Sequence, residues 1–221
     1  MGEIVKIGSK NVPISGYLSM AKTSQGHGVV VLHAWWGLNE FFKRFCDRLA
    51  GKGFVVFAPD LYEGKVASTR EEAKALMTQQ DAKYLETAVL ASSDYLASHP
   101  TVKGRRVGVV GFSMGANSAL WLSSKRPDLR AVVLFYGTGE EDFSKSRGSF
   151  QGHFAEEDEF EPKEGVLKLE KLIRSAGKEV EFYYYPKMKH WFFEDDRPEF
   201  DDKAASVAWE RTVQFLDSKL K

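Results

Sequence analysis

A serine lies between two glycines in Gly111-Phe112-Ser113-Met114-Gly115, and this short motif is the strongest chemical signal in the chain. An apolar strand-like run, Val107 to Gly111, leads into it, and a helix-like stretch from Ala116 follows it. A sharp strand-to-helix turn holds its central residue in a strained conformation, and glycines are needed where a Cβ would collide with the neighbouring element. We therefore expect Ser113 Oγ to act as a nucleophile. The backbone N–H of Met114, at a helix start, is expected to stabilise an oxyanion.

An imidazole that could activate the serine follows the last predicted strand. A serine hydroxyl is nearly inert at neutral pH, so acyl transfer needs a neutral imidazole to accept its proton and a carboxylate to orient that imidazole. His190 follows the run YPKMK, in a loop that can reach back to Ser113, and is the predicted base. The other histidines suit structural roles: before a strand, at a helix end, inside a strand, and at the end of a strand ahead of the serine. In that order they are His27, His99, His153 and His33.

Several carboxylates follow the predicted strand that ends at Phe154. Asp158 lies four residues beyond Phe154, in the loop before Pro162, whereas Glu156 and Glu157 lie nearer the strand end. Asp158 is therefore the predicted acid, and Glu157 is the second candidate. The remaining glutamates of this acidic run are expected to be solvated.

A loop ahead of the serine could supply a second oxyanion donor. It is the segment His33 to Leu38, which follows the third predicted strand. Its best candidate is the backbone N–H of Trp35, and Gly37 lets the loop turn into the next helix. Aromatic side chains can line a pocket or pack in a core, and both roles are open for the two tryptophans of this loop. The predicted pocket-lining residues are Trp36, Tyr62, Tyr84, Phe112, Tyr136 and Trp191.

The length of the chain and its charge indicate how many domains it forms and what kind of partner it binds. At 221 residues with 43% hydrophobic residues, the chain can bury one substantial core, so residues 1–221 are expected to form a single domain. The 31 basic and 31 acidic residues balance, which gives no electrostatic reason to expect nucleic acid or an anionic membrane as a partner. The expected partner is a small neutral or weakly charged molecule.

The sequence also indicates which cofactors and which compartment to expect, through its cysteine content and its lack of known binding motifs. Cys46 is the only cysteine, and its place in a predicted amphipathic helix indicates a buried thiol rather than a nucleophile. The sequence has no His-Glu-x-x-His, no paired Cys-x-x-Cys and no Gly-x-x-x-x-Gly-Lys-Ser/Thr, so no metal or other cofactor is expected. It has neither a signal-peptide core nor an apolar run of transmembrane length, and the expected compartment is the cytoplasm.

Alternating strand and helix patterns predict how the candidate residues are positioned. Two antiparallel strands joined by a turn at Gly8–Asn11 open the chain, and a break near Gln79–Asp81 divides residues 69–98 into two helices. The alternation favours an α/β fold with a mostly parallel central sheet and helices on both faces, in which reacting groups lie beyond the carboxyl ends of the strands. The predicted strands are Glu3–Ile7, Val12–Ser19, Gly28–His33, Phe54–Phe57, Val107–Gly111, Ala131–Tyr136, Phe150–Phe154 and Lys178–Tyr185. The other predicted helices are Asn39–Lys52, Ala116–Leu122, Pro162–Ala176 and Asp202–Leu220.

Six ordered blocks, spread over almost the whole chain, resemble the dienelactone hydrolase family. The resemblance implies a monomer with a single α/β-hydrolase domain and no large cap. It also implies the catalytic residues Ser113, Asp158 and His190, with the backbone N–H groups of Trp35 and Met114 as oxyanion donors. The blocks are HAWWGLN from His33, FVVFAPDLY from Phe54, VGVVGFSMGA from Val107, FYG from Phe135, GHFAEED from Gly152 and YPKMKHWFFEDDRPEF from Tyr185.

Two differences from the family pattern bear on the substrate. Dienelactone-cleaving members use a cysteine nucleophile and a glutamate in the loop after the third strand, where this chain has Ser113 and Ala34. Those members also hold the substrate carboxylate with arginines, one of them shortly after the catalytic histidine, where this chain has Glu194. A glutamate that faced the pocket would repel a carboxylate. The expected function is therefore hydrolysis of a neutral ester or lactone through an acyl-enzyme. An acyltransferase, a small-peptide hydrolase and a non-catalytic binding protein with the same fold are the alternatives.

Overall fold

Apolar runs and capping residues divide the chain into alternating strands and helices. The computed structural model describes residues 2–9, 12–22 and 25–221, and within them the chain forms eight strands and six helices. The strands are β1 Glu3–Ser9, β2 Val12–Ser19, β3 Gly26–Leu32, β4 Phe54–Pro59, β5 Val102–Phe112, β6 Leu129–Phe135, β7 Ser149–Ala155 and β8 Val180–Tyr185. The helices are α1 Glu40–Gly51, α2 Arg70–Gln79, α3 Ala82–Ser98, α4 Met114–Lys125, α5 Lys163–Ser175 and α6 Asp202–Leu220.

The strands follow the order β1-β2-β4-β3-β5-β6-β7-β8 in one sheet. β1 pairs antiparallel with β2, and β2 with β4, whereas the pairs β3 with β4, β6 with β7 and β7 with β8 are parallel. Strands of a parallel sheet that are covered on both faces carry continuous apolar runs, and every residue of β4 is buried. The predicted mostly parallel α/β architecture is confirmed, and no cap domain is inserted in the residues that the structure describes.

Backbone contacts are concentrated within two units, Met1–Val109 and Val110–Lys221, which are described separately. In the first unit, α1 and α3 pack against β4. Helix α1 begins after Asn39, whose side chain accepts the N–H of Phe42. The Cys46 thiol lies on the buried face of this helix, and burial raises its pKa. The prediction of a buried thiol is confirmed, while the single domain stays a prediction.

In the second unit, α4 and α6 pack against β6, and α5 packs against β8. A polar network lies buried between β7 and α6. Nδ1 of His153 is 2.8 Å from the Tyr185 hydroxyl, and Nε2 is 3.1 Å from both Gln151 Oε1 and Thr212 Oγ1. Burial, assisted by the charge of Arg211, lowers the pKa of His153 to about 3, so this imidazole stays neutral. The prediction that His153 is a satisfied core histidine is confirmed.

Some element boundaries differ from the prediction. His27 lies inside β3 rather than ahead of the strand, because the glycines on either side of it carry no side-chain pattern. Strand β5 begins at Val102, five residues before the predicted start at Val107, because residues 103–106 are exposed and have no apolar signal. Of the predicted turn, Gly8 belongs to β1, and residues 10 and 11 lie outside the described part of the chain.

The predicted break in the long helical segment is confirmed. Gln80 and Asp81 separate α2 from α3, and the Asp81 carboxylate accepts the N–H groups of Lys83 and Tyr84. A side chain that satisfies these first N–H groups starts a new helix, which is why the helical pattern is interrupted at this point.

Candidate active site

Ser113 lies in a strained turn between β5 and α4. This turn, residues 111–115, is called the Ser113 turn. Ser113 has a φ of 51°, in the left-handed region that side chains rarely adopt, and its N–H donates to the carbonyl of Phe135 over 2.9 Å. A Cβ on Gly111 would collide with the carbonyl of Gly115 and would lie 2.7 Å from Cα of Ala116. The chain can therefore make this turn only with glycine at position 111.

The structure brings together the three side chains of the predicted catalytic set, all within the second unit. Nε2 of His190 lies 2.9 Å from Ser113 Oγ. Its other ring nitrogen, Nδ1, lies 2.8 and 2.9 Å from the two carboxylate oxygens of Asp158. This is the arrangement in which an imidazole can take a proton from a hydroxyl while a carboxylate fixes its orientation.

Asp158 is held in place by its own loop. Its Oδ1 accepts the backbone N–H groups of Phe160 and Glu161 over 2.8 and 3.0 Å. The side chains of Asp158 and His190 are only 2% and 3% exposed, so little solvent screens their interaction. Glu157, the second candidate for the acid, instead lines a cavity beside the histidine.

His190 belongs to a segment without helix or strand, residues 186–201, which is called the His190 loop. Three aromatic rings surround its imidazole. The ring centroids of Tyr136, Phe160 and Trp191 lie 4.8, 4.9 and 4.9 Å from that of His190. Trp191 has a φ of 66° and Tyr136 a φ of 36°. Backbone strain of this kind concentrates at functional sites, because the surrounding structure must enforce it.

A cavity of about 210 Å³ adjoins the imidazole in the second unit. The lining includes three glutamates and one lysine, and Trp191 lies in its wall, while the predicted role of Trp191 in substrate binding stays a prediction. The lining residues are Glu157, Glu159, Lys189, His190, Trp191 and Glu199. With more carboxylates than cations, this wall disfavours an anionic ligand.

The other predicted pocket residues of the second unit are packed in its core. Phe112 and Tyr136 are fully buried, and the Phe112 ring stacks on Phe135 with a centroid distance of 4.6 Å. The Tyr136 ring lies against that of His190, with centroids 4.8 Å apart and ring planes tilted by 55°, while its hydroxyl bonds to Glu194. For these two residues the structure favours packing, and a role in substrate binding stays a prediction.

In the first unit, Tyr62 and Tyr84 line one small cavity of about 100 Å³. Trp36 is 3% exposed and packs edge-on against Trp35, with ring centroids 5.5 Å apart. The oxyanion role of the Trp35 N–H and the binding roles of these aromatic residues stay predictions.

His33 shapes its loop by hydrogen bonds, as predicted. Its Nε2 accepts the N–H of Leu61 over 3.1 Å, and its Nδ1 lies 2.7 Å from the carbonyl of Ala34. Burial lowers the pKa of His33, so the ring is held neutral between these two backbone groups.

Glu194 was expected to matter only if it faced a pocket, and the structure places it elsewhere. It is fully buried, and its Oε1 accepts the hydroxyl of Tyr136 over 2.7 Å. Burial raises the pKa of Glu194 to about 8. Sequence reasoning missed this contact because its partners are 58 positions apart. The only hint is a carboxylate that directly follows three large apolar residues.

In residues 2–9, 12–22 and 25–221, no group of three or more histidine, cysteine or carboxylate side chains is placed to hold a metal ion. Among the helices in those ranges, none is long and apolar enough to cross a bilayer.

Comparisons with known proteins show the family and the fold. The family model described as "Dienelactone hydrolase family" matches residues 14–220. "Protein usf" of Aquifex pyrophilus is 34% identical, and a protein of Aquifex aeolicus, provisionally named a carboxymethylenebutenolidase, is 31% identical; both matches cover 100% of each chain. A dienelactone hydrolase-like promiscuous phosphotriesterase from metagenomic libraries superposes with a TM-score of 0.86 at 21% identity, covering 100% of this chain and 99% of the other. The shared fold confirms the predicted α/β-hydrolase architecture.

Proposed function

The chain belongs to the dienelactone hydrolase family, and from this premise we propose that it is a serine hydrolase that cleaves small neutral esters or lactones through an acyl-enzyme. The observation that carries the proposal is the continuous contact from Ser113 Oγ through the His190 imidazole to the Asp158 carboxylate. No cofactor takes part in the proposed reaction.

In the first half of the reaction, Ser113 Oγ attacks the carbonyl carbon of the substrate. As the Oγ–C bond forms, the hydroxyl proton passes to Nε2 of His190, and Asp158 stabilises the resulting imidazolium. The carbonyl oxygen becomes an oxyanion. The N–H of Met114, the first residue of α4, is the proposed donor to it, because a helix N-terminus stabilises negative charge.

The tetrahedral intermediate then collapses. The bond between the carbonyl carbon and the alkoxide oxygen breaks, and the proton on His190 Nε2 passes to the leaving alkoxide. In the second half, His190 removes a proton from a water molecule that attacks the acyl-enzyme. The acid is released when the Oγ–C bond breaks and Ser113 recovers its proton.

The charge around the imidazole supports a neutral substrate. Glu157, Glu159 and Glu199 line the cavity beside His190, against a single cation, Lys189. The position where related dienelactone-cleaving enzymes carry an arginine holds Glu194, which is buried and bonded to Tyr136. The cavity thus has three carboxylates that would repel a carboxylate-bearing lactone.

Replacement of the serine tests the proposal. Ser113→Ala should lower the rate of p-nitrophenyl acetate hydrolysis by several orders of magnitude, up to about 10⁶-fold. The reason is that the loss of the nucleophile alone costs about as much as the loss of all three catalytic residues. The substitution should also abolish covalent labelling by a fluorophosphonate. The matched control is Ser123→Ala, which removes a buried hydroxyl bonded to Leu120 in the same helix.

Hydrolysis and labelling that survive in Ser113→Ala would refute the assignment. If the wild-type protein is neither labelled nor active, the fold serves a non-catalytic binding role instead. Product analysis with added alcohol or amine detects an acyltransferase, and short peptide substrates detect a peptidase. Mono-p-nitrophenyl succinate and its neutral methyl ester test the charge preference, and we expect kcat/KM to be at least about tenfold higher for the neutral ester.

A further inference from the structure

Glu194 is a buried acid that the proposed reaction does not use. It lies in the His190 loop, four residues after His190, and is fully buried. Its Oε1 accepts the Tyr136 hydroxyl over 2.7 Å, whereas its Oε2 has no hydrogen-bond partner in the described part of the chain. Burial raises the pKa of Glu194 to about 8, so the carboxyl is neutral at pH 7. A neutral acid can keep this bond without the cost of a buried charge.

Tyr136 connects this acid to both reacting side chains. The residue directly follows β6, and the carbonyl of the preceding Phe135 accepts the N–H of Ser113 over 2.9 Å. The Tyr136 N–H donates to the carbonyl of His153 over 2.9 Å, which ties it to β7. Its ring centroid lies 4.8 Å from that of His190. Tyr136 is thus fixed to the strand that holds the Ser113 turn, and it contacts the imidazole directly.

The His190 loop has no helix or strand of its own, so individual hydrogen bonds attach it to its neighbours. Short turns organise it locally: the N–H of Glu194 donates to Trp191, and that of Arg197 donates to Glu194. These bonds close the loop on itself. Two others, from the Glu157 N–H to the Met188 carbonyl and from the Lys187 N–H to the Glu156 carboxylate, join the loop to the segment after β7 rather than to β6. The hydrogen bond from the Tyr136 hydroxyl to Glu194 does join the loop to the residue after β6, three positions beyond Trp191 with its φ of 66°.

Charged groups of the His190 loop, and Asp158 outside it, act on the pair. Asp196, Arg197 and Glu199 of the His190 loop act on Glu194, with the two acids raising its pKa and the arginine lowering it. Asp158 and Asp196 act on Tyr136. The hydroxyl is fully buried, and the pKa of Tyr136 is raised well above its ordinary value, so the hydroxyl stays protonated and donates.

We propose that Tyr136 and Glu194 are a positioning pair that holds the His190 imidazole in line with Ser113 Oγ. The inference rests on the proposed serine hydrolase function. The Tyr136 ring lies against the imidazole, and the hydrogen bond between Tyr136 and Glu194 acts on the reaction through the placement of His190. A displacement of reacting groups by about 1 Å can cost up to 10²-fold in rate, so one bond that fixes the loop can be worth a measurable factor.

Four variants test the pair. Tyr136→Phe removes only the hydroxyl, and Glu194→Leu removes the acceptor; each should lower kcat by about tenfold with KM within about twofold, and should slow fluorophosphonate labelling of Ser113 equally. The double variant should be no worse than either single variant, because both changes break one bond. Glu194→Gln keeps the acceptor and mimics the neutral acid, so it should retain wild-type kcat at pH 7.

A fifth variant separates positioning from a general loss of packing. Tyr185→Phe also removes a buried hydroxyl of the second unit, one that is bonded to His153 over 2.8 Å, and should leave kcat unchanged. An NMR measurement reports His190 directly. Tyr136→Phe keeps the aromatic ring, so a changed chemical shift of the His190 ring protons indicates that the imidazole has moved.

The outcomes distinguish the two proposals. If wild-type Ser113 is not labelled, the serine hydrolase function fails, and the NMR shift alone decides whether the pair holds His190. If wild-type Ser113 is labelled but Tyr136→Phe and Glu194→Leu match the wild type in kcat and labelling rate, the positioning pair is refuted. A loss in Tyr185→Phe as large as that in Tyr136→Phe also refutes it.

Discussion

The Ser113 turn and the His190 loop each deliver one reacting side chain, and they do so by different means. The turn is short and determined locally, because glycine is the only residue that fits position 111, while β5 enters the turn and α4 leaves it. The loop spans residues 186–201 without helix or strand, and aromatic rings from other parts of the second unit surround its imidazole.

The difference lies in what holds each group in place. Ser113 is held by backbone geometry: its N–H bonds to Phe135, its carbonyl accepts the N–H of Ala116 over 2.8 Å, and its φ is 51°. His190 is held by side chains, namely the Asp158 carboxylate and three rings, with Glu194 attached to one of them. A substitution that changes the chemistry of a supporting side chain should therefore disturb the histidine selectively. The serine should be disturbed only by a substitution whose side chain collides with the backbone of the turn.

The largest effect should come from the side-chain support of the histidine. Asp158→Asn keeps the shape of the acid but removes its charge, and its amide can favour the wrong imidazole tautomer. We expect kcat for p-nitrophenyl acetate to fall by about 10⁴-fold with little loss of stability. Steady-state kinetics and urea unfolding measure the two quantities. The matched control is Asp128→Asn, whose carboxylate pairs with Arg126 on the surface of the same unit.

A loss of only a few-fold in Asp158→Asn would contradict the acid assignment. Activity that instead disappears in Glu157→Gln would favour the second candidate of the acidic run.

The second prediction concerns the lack of room for a side chain in the Ser113 turn. A Cβ at position 111 would meet backbone atoms, which cannot move aside as a flexible side chain can. Gly111→Ala should therefore lower the free energy of unfolding by about 1–3 kcal/mol and reduce Ser113 labelling sharply. Gly51→Ala is the control, because a Cβ at this position, the last residue of α1, has no neighbouring atom within 4 Å. Equal unfolding midpoints for the two variants would show that the turn has room and does not require glycine.

The same contrast explains how much could be predicted from the sequence. The Ser113 turn and the break between α2 and α3 were predictable, because glycine spacing and the Asp81 cap act within a few residues. The early part of β5 was not, because its exposed residues carry no apolar pattern. Chain order after the strands was enough to select Asp158 and His190, and the structure places His190 beside Ser113 and Asp158 beside His190.

The contact between Tyr136 and Glu194 shows where sequence reasoning stops. From the local sequence, Tyr136 is an aromatic residue near a turn. Such a residue can equally well line a pocket or pack in a core. Whether Glu194 faces a pocket or lies in the core depends on how its loop folds back on β6, and periodicity carries no information about that path. The position of Trp35 as an oxyanion donor is a question of the same kind and stays a prediction.

The third prediction is a pH dependence of stability that comes from Glu194 and leaves the reacting groups themselves unchanged. Burial raises the pKa of Glu194 from its ordinary 4.5 to about 8 in the folded protein, so between these values the folded state binds the proton and the unfolded state releases it. The stability that this carboxyl provides is fully present below pH 4.5 and is lost as the pH rises toward 8, with a slope of up to about 1.4 kcal/mol per pH unit.

Glu194→Gln cannot ionise, so it should gain stability relative to the wild type as the pH rises from 5 to 8. Urea unfolding at pH 5, 6.5 and 8 measures this, with the exposed Glu210→Gln in α6 as the control. Parallel stability curves for wild type and Glu194→Gln would mean that Glu194 is already ionised in the folded protein, and the His190 loop would then be held by a buried charge rather than by a neutral bond.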